Sequence, residues 1–224
     1  MSEKHSTAAI ILAAGSSSRM SDGQHKLLLP LGGRPVLAHI VEAALHSQAA
    51  PVILILGHRS EQIEAAIHDY TQDEHLIILR NPNYQQGMST SLRQGITYLS
   101  AQTIQPGIEG ALILLGDQPF ISTEIIDTLI ATKQASKKNI IAPCYHGKRG
   151  NPVLLATSLF NELAAVVGDE GGRSVIARHP EEIETVEVGD AVANHDVDTR
   201  EAYQQAVNIW QIQHESKHES KKEG

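Results

Sequence analysis

The chain has 224 residues, 41% hydrophobic and 20% charged, enough apolar material for one soluble domain with a full core. Its formal net charge is −8 with Lys and Arg scattered along the chain, which opposes a phosphate backbone and argues against nucleic acid as a partner. The single cysteine, Cys144, excludes an intrachain disulfide and fits a reducing compartment, so the cytoplasm is the expected location.

The opening MSEKHSTAAIILAAG lacks the basic and long apolar segments of a secretory leader, and its apolar run breaks at Gly15, well short of membrane-spanning length. Short apolar runs then alternate with amphipathic segments. Strands are expected at 8–13, 52–56, 76–79, 111–115, 140–142, 153–155 and 183–188, and helices at 35–47, 60–69, 89–99, 123–135, 158–166 and 174–179. Several of the strands are apolar throughout, as in a parallel sheet covered by helices on both faces, so the alternation predicts a doubly wound α/β fold. Pro35 suits a helix start, and Ser122 stands three residues before Ile125 as a cap. The stretch around Trp210 is apolar enough to dock a last helix. Residues 214–224 (HESKHESKKEG) are polar and aperiodic, and read as a disordered tail.

In an open α/β sheet, ligands bind beyond the carboxyl ends of the strands. The first strand runs into Leu12-Ala13-Ala14-Gly15, a small-residue loop that lets backbone N–H groups approach phosphate, with Arg19 and Lys26 supplying charge. It is neither a Walker loop nor a dinucleotide fingerprint. Gly116-Asp117 places a carboxylate at the end of a buried strand, where a hard cation such as Mg²⁺ could be held by one or two carboxylates plus substrate phosphates. Asp196 and Asp198 alternate onto one side of an extended segment and offer a second carboxylate; either could serve. Gly87-Met88-Ser89-Thr90-Ser91 reads locally as a capped helix start. Lys148, Arg149 and Asn151 concentrate charge among glycines, and Arg173 follows Gly168-Asp169-Glu170-Gly171-Gly172 at another helix start. His214 and His218 have helical spacing, but no acid or thiol completes a zinc site with them. Cys144 has no nucleophile's partners, and no G-x-S-x-G elbow is present.

L-A-A-G-x-S-x-R-M followed by Lys26 and L-L-L-P-L-x-G-x-P-V-L resembles the signature of the MobA-like NTP transferases. The similarity continues in order through Asn81-Pro82, the Gly87 segment, Gly116-Asp117-Gln118-Pro119, Arg149-Gly150-Asn151-Pro152, the Gly168 to Arg173 motif and Asp196-Val197-Asp198-Thr199. Within that family it is most similar to the molybdenum cofactor cytidylyltransferases. The resemblance implies a Rossmann-like nucleotidyltransferase domain over 1–213 that moves CMP from CTP to a molybdopterin-type acceptor and releases pyrophosphate. It implies Arg19, Lys26 and Asp117 as catalytic residues, and Mg²⁺ on Asp117 with Asp196 and Asp198. Nucleotide contacts fall on Leu12, Ala13, Ala14, Gly15, Lys26, Gly87, Ser89, Ser91 and Asp117, with Ser91 favoured over Ser89. Acceptor contacts fall on Lys148, Arg149, Asn151 and Arg173, and a molybdoenzyme is the implied client. Guanylyltransferase relatives carry L-A-G-G, so Ala14 favours CTP. One departure stands out: the family pattern is R-M-G-x-x-K, and two extra residues separate Arg19 from Lys26 here. The rivals are a guanylyltransferase, a transferase acting on another phosphorylated metabolite, and a non-catalytic cofactor carrier.

Overall fold

The computed structural model describes residues 6–17, 20, 24–101 and 107–220. Strand β1 (Ser6–Ala13) lies at the middle of the main sheet, paired in parallel with β4 (Val52–Leu56) on one side and β6 (Ile108–Leu115) on the other. β5 (Leu76–Arg80) extends the sheet beyond β4. Beyond β6 come β9 (Val153–Ala156), β7 (Ile140–Tyr145) and β10 (Ile183–Glu187), giving the order β10-β7-β9-β6-β1-β4-β5. Within that order β9 runs antiparallel to both its neighbours and the other described pairs are parallel, so the sheet is mostly parallel. A two-residue strand β8 (Lys148–Arg149) pairs with β7, and β2 (Pro30–Leu31) with β3 (Arg34–Pro35) forms a separate small hairpin. These three are too short to show any alternation in sequence.

Both faces are covered, which explains the uniformly apolar strands. α1 (Val36–Leu45), α2 (Ser60–Ala66) and α4 (Thr123–Ala135) pack residues such as Leu37, Ile63 and Ile126 on one face, against Ile11, Leu54 and Leu114. α3 (Met88–Ala101), α5 (Phe160–Ala165) and α6 (Arg173–Arg178) cover the other, with Leu92, Leu163 and Val175 against Ile10, Ile53 and Ala111. The doubly wound fold is thus the one the alternation predicts. α4 begins as expected, with Ser122 Oγ accepting from Ile125 N. Pro35 stands one residue before α1 with an extended ψ of 145°, flanking the helix rather than opening it.

The last helix, α7 (Arg200–Ser220), continues through residues 214–220, where the polar sequence reads as a disordered tail. The physical reason lies in the turn before. Trp210 packs on Gly32 and on the His39 ring (centroids 4.6 Å), and His214 stacks on Trp210 (3.9 Å) while donating from Nδ1 to its carbonyl. Gly32 has φ +57°, and an added Cβ would lie 2.2 Å from the indole, so only glycine admits this contact. No helix among the described residues is long and apolar enough to cross a membrane. Trp210→Ala should lower unfolding free energy by about 2 kcal/mol, read by urea denaturation, because the indole anchors α7 to the β2–β3 turn. An unchanged midpoint would mean that α7 docks without it.

Candidate active site

The carboxyl ends of β1, β4 and β6 form one edge, and the loop after β1, Lys26, Asp117, Asp196 and Asp198 gather there. Leu12 O accepts from Gly116 N, so the first loop and the Gly116-Asp117 turn leave the sheet side by side. Gly57 ends β4 against this loop: a Cβ there would lie 2.7 Å from Ala14 O and 2.8 Å from the Ala14 methyl. Ala14 O also accepts from His58 N. Leu12, Ala13 and Ala14 are therefore buried and Gly15 is exposed. Arg19 lies outside the described residues.

Lys26 follows on a short helical turn, and its ammonium is held between two carboxylates. It donates to Asp117 Oδ2, and to Asp198 Oδ1 at 2.6 Å. Its side chain and that of Asp117 are each 15% exposed. Burial opposes the charge on Lys26, but the two carboxylates outweigh it and hold the ammonium above its ordinary pKa. Val197 N donates to Asp117 O, which fixes the late acidic segment on the end of β6. Asp196 takes a different partner: its Oδ1 accepts from Gln118 Nε2 at 2.7 Å. Partial burial and the charges of Asp117 and Asp198 push the Asp196 carboxyl above its usual range, against the Gln118 bond.

This donor set fits a hard divalent cation. Asp117 and Asp198 already share one cation, the Lys26 ammonium, and present oxygens only. Among the described residues no three His, Cys, Asp or Glu groups make a ready-made metal cluster. Two carboxylates completed by substrate phosphates are what Mg²⁺ commonly takes.

The Gly87 segment opens α3, as its reading as a capped helix start expects. Ser89 is fully buried, and its hydroxyl has no partner among the described residues. Ser91 is 3% exposed, and its hydroxyl, like that of Thr90, accepts from Asn81 Nδ2. The N–H of Met88 donates to Asp169 Oδ1 and that of Ser89 to Gly168 O. The Gly168-Asp169 turn therefore caps α3, because a carboxylate at a helix start meets unpaired N–H groups. A Cβ on Gly87 would lie 2.6 Å from Gly168 O. Arg173, Lys148 and Arg149 are exposed, and Asn151 is half-buried. A cavity of 680 Å³ lies apart, among α1, α4 and α7. Its lining is mixed, with Glu124, Glu187 and Asp190 beside three histidines and the Arg34–Glu42 ion pair.

Several contributors carried no local signal. Gln118 and Asn194 join Asp196 to the loop after β8, and His25 supports the loop after β1. His25 Nε2 donates to Gly15 O at 3.0 Å, and its ring stacks on His58 (centroids 5.5 Å). The one hint was its place beside Lys26, in the lengthened part of the loop. Burial, offset in part by the Gly15 bond, lowers His25 to about 4.

Comparison with known proteins bears on the family and the fold. A family model, the MobA-like NTP transferase domain, matches residues 9–183. The bifunctional protein GlmU of Halorhodospira halophila is 35% identical over 124 residues, 55% of this chain and 24% of that protein. The chain thus spans about a quarter of the length of the curated relatives it matches. Among solved structures, Rv0371c of Mycobacterium tuberculosis H37Rv in complex with manganese superimposes with a TM-score of 0.72 at 23% identity, covering 91% of this chain and 98% of that one. The 4-diphosphocytidyl-2C-methyl-D-erythritol synthase of Anaerococcus prevotii gives 0.71 at 18% identity, covering 92% and 96%. At these identities the two structures show the fold alone.

The His25 shift has a definite sign. Below the ordinary value of 6.5 the unfolded chain binds a proton that the folded chain refuses until about pH 4, so stability falls as pH drops through that window. His25→Gln keeps a donor for Gly15 O without titrating. Between pH 7 and pH 4 it should lose less stability than wild type, by on the order of 3 kcal/mol, in parallel urea melts. Parallel pH profiles would refute the buried neutral imidazole.

Proposed function

The chain belongs to the MobA-like NTP transferase family, and on that premise we propose that it transfers CMP from CTP to a molybdopterin-type acceptor with release of pyrophosphate. The observation that carries the reading is the Lys26 ammonium set between Asp117 and Asp198 at the end of β6, beside a loop of small residues. Motif order supports the molybdopterin branch. Curated relatives of the chain include GlmU proteins, and one solved neighbour is named for synthesis of a different cytidyl product, 4-diphosphocytidyl-2C-methyl-D-erythritol. A different small phosphorylated acceptor is therefore the second reading.

In this mechanism the acceptor's terminal phosphate oxygen attacks the α-phosphorus in line. The bond to the bridging oxygen breaks and pyrophosphate leaves with its electron pair. A phosphate is already anionic near neutral pH, so the protein need not supply a strong base. Its task is to position the two substrates and to neutralise charge. A divalent cation on Asp117 and Asp198, Mg²⁺ or the Mn²⁺ seen in the Rv0371c complex, would supply electrostatic stabilisation of the phosphate oxygens when bound. Lys26 stabilises the charge building on the α-phosphate and on the departing pyrophosphate. Gly15 and the loop amides approach the triphosphate, Gly87 borders the nucleotide, and Lys148, Arg149, Asn151 and Arg173 face the acceptor. A molybdoenzyme is the client that a cytosine dinucleotide cofactor would serve.

Pyrophosphate release measured with each of the four NTPs, with and without molybdopterin, tests the reading. Turnover should require both CTP and molybdopterin, and Asp117→Asn should lower kcat by more than about tenfold, roughly 1.4 kcal/mol, with little change in melting temperature. Binding of CTP and molybdopterin without turnover would mark the protein as a carrier. Base choice has its own test. CTP should exceed GTP in kcat/KM by at least about tenfold, and Ala14→Gly should narrow that gap if the methyl crowds a purine. A gap untouched by Ala14→Gly would confine the methyl's role to its packing on Gly57.

A further inference from the structure

Gln118 is 1% exposed, follows Asp117 directly, and is bound on one side only. Its Nε2 donates to Asp196 Oδ1 at 2.7 Å and approaches Asn194 Oδ1 at 3.5 Å. Asn194 Oδ1 also accepts from Asn151 N at 3.0 Å. On the far side of the same residue, Tyr145 OH donates to Asn151 O at 2.7 Å. The backbone of Asn151 is thus gripped through both its N–H and its carbonyl. Gly150 makes room for this, since a Cβ there would lie 2.7 Å from Asn194 Oδ1. Gln118 Oε1, in contrast, is buried with no hydrogen-bond partner among the described residues. A buried acceptor left unsatisfied costs stability, and an apolar residue of similar size would avoid that cost. A glutamine kept there at such a cost points to a task outside folding.

Resting on the proposed transferase reading, the geometry points to Gln118 as a positioning residue that fastens the acceptor-side segment 148–151 to the cation-side aspartates. The link runs Gln118 to Asn194 to Asn151, with Asp196 as the second anchor. It sets where Lys148 and Arg149 stand relative to Asp117, which is held independently by Lys26 and by Val197 N, while the other expected nucleotide contacts, on the loop after β1 and on α3, lie on other elements. The link therefore bears on acceptor placement and leaves nucleotide affinity alone. Gln118 itself need not touch either substrate.

The test uses the full chain carrying Gln118→Leu, which removes both the donor and the unsatisfied acceptor. The chain should still unfold in one cooperative transition, since relief of the unsatisfied acceptor is set against the donor lost to Asp196, and calorimetric CTP affinity should stay within about twofold of wild type. Amide hydrogen exchange of residues 149–151 should quicken by at least about tenfold, because Asn151 N–H loses its ordered acceptor. With CTP and molybdopterin, KM for molybdopterin should rise by at least about tenfold while kcat falls less. Unchanged exchange together with unchanged KM would overturn the proposal, as would an equal loss of CTP affinity. A wild-type protein that releases no pyrophosphate from any NTP would sink the transferase reading instead, and the exchange result would still decide the link. Should Gln118→Leu fail to fold, Asn194→Ser breaks the same link one step further on and must give the same exchange and KM changes.

Discussion

A buried positive charge needs partners, and Lys26 finds two from remote parts of the chain. Asp117 ends β6, Asp198 lies in the segment before α7, and Lys26 sits on the connection leaving β1. Each carboxylate near the others raises the cost of keeping all of them ionised, and the ammonium offsets that repulsion. The arrangement constrains the rest of the edge. Val197 must reach the carbonyl of Asp117, Asp196 must turn to Gln118, and β1 must end level with β6 so that Gly116 can bond Leu12. A site built this way exists only in the folded sheet.

The same constraint divides labour between the two late aspartates. Alternation puts Asp196 and Asp198 on one side of an extended segment, and local sequence cannot separate them. The structure gives them different partners, a cation for Asp198 and an amide for Asp196. One carboxylate thus pairs with the Lys26 ammonium, while the other is tied through Gln118 and Asn194 to the backbone of Asn151. The Gly168-Asp169 turn makes a comparable tie on the opposite flank by capping α3. Segments from the second half of the chain thus brace both flanks of the edge.

The strands were legible because a parallel sheet buried on both faces requires continuous apolar runs, and α4 was legible to its ends because Ser122 caps it. The loop, Lys26 and the acidic motifs were legible because their residue types are tied to phosphate and cation chemistry. What the sequence left unread are contacts between distant residues. Nothing near Asp169 signals that it caps a helix 81 residues earlier, and nothing near His25 signals burial under Gly15. Ser89 and Ser91 have the composition of ligand contacts, yet packing turns both hydroxyls inward. The helical stretch 214–220 was hidden for a similar reason, since its stem is anchored by Trp210 on Gly32 across the chain.

The central claim is that Asp117 and Asp198, and not Asp196, hold the charge-neutralising position shared with Lys26. Mn²⁺ binding followed by electron paramagnetic resonance in the presence of CTP, across wild type, Asp117→Asn, Asp198→Asn and Asp196→Asn, addresses it most directly. The account predicts at least about a tenfold loss of Mn²⁺ affinity for Asp117→Asn and Asp198→Asn, and a change within about threefold for Asp196→Asn. A loss at Asp196→Asn matching that at Asp117→Asn, with Asp198→Asn unaffected, would contradict it.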